Sequence, residues 1–144
     1  MPFDLLAFNP APTPAIAAYG DYLVGRLNKA VAVPKVEVSL GAWTPQPNQC
    51  HENCNHYAEH SGSGHLVASG WLVMDQRATL GHIRFFAHSV MAPSESPETW
   101  YDITPGETEG QYPILFSNLS PTAFMQFDHV LSATCDASIF DVRP

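Results

Sequence analysis

Cys50, His88 and Asp102 are the residues of this chain whose types and order could carry covalent chemistry. The cysteine opens a stretch of helical character, the histidine lies in a run of β-branched and aromatic residues, and the aspartate follows in the next such run. A thiol at a helix N-terminus faces unpaired backbone N–H groups and the positive end of the helix dipole, which favour the thiolate and so prepare a nucleophile. A histidine on a neighbouring strand can take up the thiol proton and deliver it to a leaving group. A carboxylate on the strand after that can hold the imidazole in the required tautomer. The separations, 38 residues from Cys50 to His88 and 14 from His88 to Asp102, suffice for helix, strand, turn, strand, turn and strand. The chemistry expected of such a set is acyl transfer through a thioester, ending in hydrolysis, deamidation or transamidation of an amide- or ester-containing small molecule or peptide.

The elements that must position these groups are legible in outline. Thr13-Pro14 reads as an N-cap followed by proline in the first turn, and Ile16, Tyr19, Leu23 and Leu27 recur at helical spacing, which predicts a helix from about 14 to 30. Val36 to Leu40 alternates like a strand, and the Pro/Gln/Asn-rich segment 44–49 must be a loop. Cys50 to His60 has no Gly or Pro and ends at Ser61-Gly-Ser-Gly64, a short helix with a stop signal. Beyond it, strands are expected at 66–74, 81–91, 99–103 and 113–116, joined as an antiparallel meander because the connections are short. Segments 124–130 and 138–142 are candidates for edge strands.

The order and spacing resemble the transglutaminase-like branch of papain-fold enzymes, which includes arylamine N-acetyltransferases, transglutaminases and bacterial cysteine peptidases. Cys50-His-Glu-Asn53 is similar to the Cys-x-Glu-x-Asn region around the acetyltransferase nucleophile. Phe86-Ala-His88-Ser-Val90 and Trp100-Tyr-Asp102-Ile-Thr-Pro105 are similar to that family's His and Asp strands. A second resemblance is to small bacterial proteins with a C-x-x-N, G-W, H-x-V, D-[IV]-T-P, I-L-F series, matched by Cys50, Asn53, Gly70-Trp71, His88, Val90, Asp102 to Pro105 and Ile114 to Phe116. The resemblance implies an α+β fold over residues 45–117, a Cys-bearing helix packed on an antiparallel β-sheet (a papain-like or transglutaminase-like core), with Cys50, His88 and Asp102 as the catalytic set. Pro47-Asn-Gln49 stands where the acetyltransferases carry Arg-Gly-Gly, and no cofactor-binding extension follows the sheet, so no cofactor is implied. Gln46, Gln49, the Trp43 indole and the Cys50 N–H are candidate oxyanion donors. Trp71 is either core or the wall of a cleft for an apolar acyl or aryl group.

A different chemistry competes for the same helix. Cys50, His51, Cys54, His56, His60 and His65 are potential zinc ligands within sixteen residues, and Cys50 with Cys54, or His56 with His60, share a helical face at i, i+4. The alternative to an enzyme is therefore a zinc- or small-ligand-binding module without turnover. Cys54 could also serve as a resolving thiol or as packing; Cys135 reads as structural, and His82 and His129 have no evident partner.

Composition narrows the remaining classes. In 144 residues, 45% are hydrophobic and 14% charged, which suits a single domain, 1–144, large enough to bury its own core. Six Lys and Arg against fourteen Asp and Glu leave no basic stripe for phosphates, so neither nucleic acid nor an anionic membrane is expected as a partner. Three cysteines do not make a disulfide framework. With no evident signal peptide and no apolar run near the roughly 20 residues of a membrane span, the cytoplasm, bacterial or phage-related, is the expected location.

Overall fold

The computed structural model describes residues 14–106, 112–117 and 139–143. Helix α1 spans Pro14–Val24 and places Tyr19 and Leu23, one turn apart, against the sheet. It ends six residues earlier than its periodicity suggests. Arg26 N–H reaches back only three residues, to the Leu23 carbonyl at 3.0 Å, and a 3₁₀ turn follows at Leu27–Lys29. Gly25 and Asn28, both poor helix formers, sit where the α-geometry gives way.

Helix α2 is Cys50–His60, as expected, with the Ser61 N–H closing on the Tyr57 carbonyl and Gly62 and Gly64 in left-handed conformations beyond it. Asn48, at φ 62°, turns the loop into α2; asparagine is among the few side chains that adopt this region readily.

Strands β1 (Leu66–Gln76) and β2 (His82–Ala92) pair antiparallel along their whole length, from Leu66↔Ala92 to Gln76↔His82. They are joined by the one-turn helix α3 (Arg77–Leu80), which ends on Gly81 at φ 76°. Strand β3 (Ile114–Phe116) adds to β1, and β4 (Ile139–Val142) adds to β2, giving the order β3-β1-β2-β4, all antiparallel. The molecule is thus a mixed helix and sheet structure with a Cys-bearing helix and a four-stranded antiparallel sheet.

The connectivity departs from a meander. Segment 99–103 is not a ladder strand: a 3₁₀ turn at Pro97–Thr99 leads into a single bridge, Tyr101 with Met91, and the chain returns to pair β3 on the far edge of β1. Segment 36–40 forms no ladder either: Leu40 bridges Trp43, and Lys35, just before the segment, bridges Asp102 in parallel. Segment 99–103 is cut short because the chain turns directly after Asp102, whose Oδ1 accepts the Thr104 N–H, and Pro105 follows. Segment 124–130 lies outside the described residues.

Strand alternation sorts the core. Trp71 and Val73 of β1, Ile83 and Phe85 of β2, and Leu115 of β3 pack with Leu23 of α1. Val67 and Met91, further along the same face, pack with Cys54 and Tyr57 of α2 and with Ile103. The opposite face carries Ala68, Val90 and Ile114, covered by Val31, Val33 and Trp100. At Gly70 a Cβ would meet the Leu115 carbonyl oxygen at 2.6 Å and the Phe116 Cα at 2.7 Å, so glycine permits the close approach of β3.

Candidate active site

β4 pairs with β2 only as far as Phe86, and the next partner on that edge is Tyr101 opposite Met91. Between these points the N-terminus of α2 and the side chain of Asp102 meet β2. Cys50, the first residue of α2, brings Sγ to 3.9 Å from the Ala87 carbonyl oxygen, and its thiol is near enough to act on the His88 imidazole. No side chain caps this helix end, so its opening N–H groups face the thiol region. Cys50 is partly exposed, as a reacting group must be.

His88 is 5% exposed, and its Nε2 lies 2.7 Å from Asp102 Oδ2. A ring nitrogen facing a carboxylate keeps its proton, which leaves Nδ1 as the nitrogen that gains and loses one. Burial pushes the imidazole down, but the hydrogen bonds to Asp102 and Cys50 and the charges of both outweigh it and raise its pKa to about 9. Asp102 shows the converse balance. Its burial favours the neutral acid, yet the hydrogen bond and positive charge of His88, the Thr104 N–H and Lys35 together hold the carboxyl below the usual range.

Asp102 serves two functions at once. Oδ1 accepts the Thr104 N–H at 3.0 Å, an Asx turn, while Oδ2 accepts from His88 and lies 3.1 Å from Lys35 Nζ. Lys35 also donates to the Thr104 carbonyl. Asn53, 2% exposed and one turn after Cys50, ties the same parts together from the helix. Its Nδ2 donates to the Gln46 carbonyl at 2.8 Å and to Thr104 Oγ1 at 3.1 Å, and its Oδ1 accepts the Gln46 N–H at 3.0 Å. The loop before Cys50 and the strand bearing Asp102 are therefore fixed to one side chain. In the sequence Asn53 and Thr104 stand out only as members of short motifs, and Lys35 does not stand out at all. The Asp-x-Thr pattern of a turn was the one signal for Thr104, whereas the parallel bridge that delivers Lys35 has none.

The other expected contacts distribute differently. The Trp43 ring stacks on His56 at 4.4 Å, six residues and thus about 9 Å along the helix from Cys50; it is part of the outer surface of α2. Gln46 is held through its backbone, and its side-chain amide donates to the Thr44 carbonyl at 3.1 Å. Gln49 is exposed at the N-cap position without capping the helix. Trp71 is fully buried, its indole N–H donating to Tyr19 Oη at 2.9 Å, so it is core and not a cleft wall.

The zinc alternative loses its ligand set. Cys54 is fully buried beside Met91 and Ile103, where burial above all pushes its thiol far up. His56 and His60 stack on each other at 4.4 Å, and among the described residues no group of three His, Cys, Asp or Glu converges. His51 Nδ1 instead meets Ser89 Oγ, which bonds Ser69 Oγ at 2.9 Å, and His65 Nδ1 meets Tyr101 Oη at 2.8 Å. His82, given no partner from sequence, bonds Gln76 Oε1 at 2.9 Å and lies 3.8 Å from Asp141, which Arg84 grips through two hydrogen bonds. His129 and Cys135 lie outside the described residues.

Among the described residues, no helix is long and apolar enough to cross a membrane. Comparison of the chain with models of protein families, with curated proteins and with solved structures found no match.

Proposed function

We propose that this protein is a cysteine-nucleophile hydrolase or acyltransferase, acting on an amide- or ester-containing small molecule or peptide, on a transglutaminase-like or papain-like core. The observation that carries the reading is the convergence of Cys50, His88 and Asp102: a partly exposed thiol at an uncapped helix start, beside an imidazole whose Nε2 is 2.7 Å from a buried carboxylate.

In this reading His88 Nδ1 takes the Cys50 proton, and the thiolate attacks the substrate carbonyl carbon, forming a C–S bond. The tetrahedral oxyanion collapses, the bond to the amine or alcohol breaks, and the leaving group departs with the proton from His88. Water or an amine then adds to the thioester, His88 accepts its proton, the C–S bond breaks and the proton returns to Cys50. Asp102 keeps the ring oriented and compensates its charge throughout. The N–H groups at the start of α2 are the donors nearest the developing oxyanion. A reducing compartment, the cytoplasm, suits a free nucleophilic thiol.

The test is covalent trapping with a panel of activated esters and thioesters, read by intact-mass and peptide mass spectrometry. The reading expects one acyl group on Cys50, absent in Cys50→Ala and slowed at least about a hundredfold in His88→Ala. Acylation elsewhere, or equal acylation of the His88 variant, would contradict it.

A further inference from the structure

Lys35 brings a third charge to this site from outside the three catalytic elements. Its ammonium lies 3.1 Å from Asp102 Oδ2, the same oxygen that His88 Nε2 approaches at 2.7 Å, and it donates to the Thr104 carbonyl as well. The placement is built into the backbone. Lys35 is bridged in parallel to Asp102, with Val36 N–H donating to the Asp102 carbonyl and Asp102 N–H donating to the Pro34 carbonyl, both at 2.8 Å. A side chain so anchored is no loose surface cation; it is 28% exposed against 4% for its partner.

We propose that Lys35 is a positioning residue of the Cys50–His88–Asp102 site: by sharing Asp102 Oδ2 with His88 Nε2 it limits the hold of the carboxylate on the imidazole. The inference rests on the catalytic reading of that series. Two cations on one oxygen divide its lone pairs and its charge, so the imidazolium is held less tightly than by an unshared carboxylate. A general acid held too tightly gives up its proton poorly, and leaving-group protonation then suffers. The other titratable groups facing this set come from α2: Cys50, which acts on the ring, and Cys54, whose thiol burial pushes far up. Oδ1 is secured independently by the Thr104 N–H, so loss of Lys35 leaves the carboxylate in place with its full charge turned on His88.

The experiment is an imidazole NMR titration of His88, assigned by loss of its signal in His88→Ala, in the wild type and in Lys35→Met, Lys35→Gln, Lys35→Arg and Cys50→Ala. The two neutral variants are expected to move the His88 transition upward by roughly half to one pH unit, and Lys35→Arg to keep it near the wild-type position. Should one neutral variant not fold, the other carries the comparison. With aryl esters, the neutral variants are expected to acylate Cys50 more slowly the poorer the leaving group, while a nitrophenyl ester, which needs no protonation to leave, reacts as in the wild type. An unchanged or lowered His88 transition overturns the role given to Lys35. A wild-type transition insensitive to Cys50→Ala overturns the catalytic reading beneath it, so the two failures are distinct.

Discussion

Replacing Asp102 with asparagine is expected to abolish a specific pH dependence of stability. In the folded protein His88 titrates near 9 against 6.5 for an ordinary histidine. Below pH 6.5 both folded and unfolded chains hold the proton, and the stabilisation of the imidazolium is fully present. As pH rises through 6.5 the unfolded chain releases its proton first, the folded state binds more protons than the unfolded, and stability falls until His88 itself titrates near 9. A gap of about 2.5 pH units corresponds to about 3.5 kcal/mol, since one unit is about 1.4 kcal/mol, and about 3 kcal/mol of it falls between about pH 6 and pH 9.5. The Asp102→Asn substitution would remove the charge and turn an amide toward one of two donors, His88 Nε2–H or Lys35, leaving burial, the largest single influence on the imidazole, opposed by Cys50 alone. Urea denaturation under reducing conditions from about pH 6 to pH 9.5 should therefore show the wild type losing about 3 kcal/mol across the window, and Asp102→Asn showing almost none of that decline. The Cys54 thiol, raised in the fold, adds its own pH dependence at the alkaline end in both proteins and cancels in the difference. Parallel pH profiles for the two proteins would refute the reasoning.

Other consequences can be checked with the same tools. Gly70→Ala should destabilise by about 2 kcal/mol or more, because its Cβ would meet β3 backbone that cannot yield without breaking the ladder, and denaturation midpoints measure this. Asp141→Asn should cost about 3 kcal/mol by stranding the buried Arg84 guanidinium, whereas the double variant Arg84→Met with Asp141→Leu should be close to neutral. Asp141, raised to about 6 mainly by burial, also binds a proton in the fold that the unfolded chain has released, so its contribution declines as pH rises from about 4 to 6. That decline should vanish in the double variant. Trp43→Ala should leave Cys50 alkylation within about twofold of wild type, since the ring stacks on His56 and not at the thiol.

The helix from Cys50 to His60 and the β1–β2 hairpin were readable because their signals are local: a break-free polar run closed by Ser-Gly-Ser-Gly, and β-branched runs flanked by turn residues. The sheet order was not, because nothing near Ile114 to Phe116 announces that it pairs back on β1. That choice is made by tertiary fit, with Gly70 giving β3 room. Residue type and order suggested Cys50, His88 and Asp102. In the fold the Asp102 carboxylate uses one oxygen for His88 and the other for the Thr104 N–H. Lys35 was invisible, since a lysine's charge becomes informative only once a long-range bridge sets it beside a buried acid. The dense Cys and His content of α2 suggested metal because composition ignores orientation; in the fold Cys54 turns into the core while His56 and His60 stack along the outer surface.

The central claim is that Cys50 is a nucleophile activated by His88. It is tested most directly by the rate at which each cysteine of the native protein is alkylated across pH, resolved by peptide mass spectrometry, in the wild type and in His88→Ala. At pH 6.5, where an ordinary thiol is only about 1% ionised, Cys50 should react at least about tenfold faster than a simple thiol and lose that advantage in His88→Ala, while buried Cys54 remains unmodified. A Cys50 that reacts no faster than a simple thiol, or as fast without His88 as with it, would contradict the account.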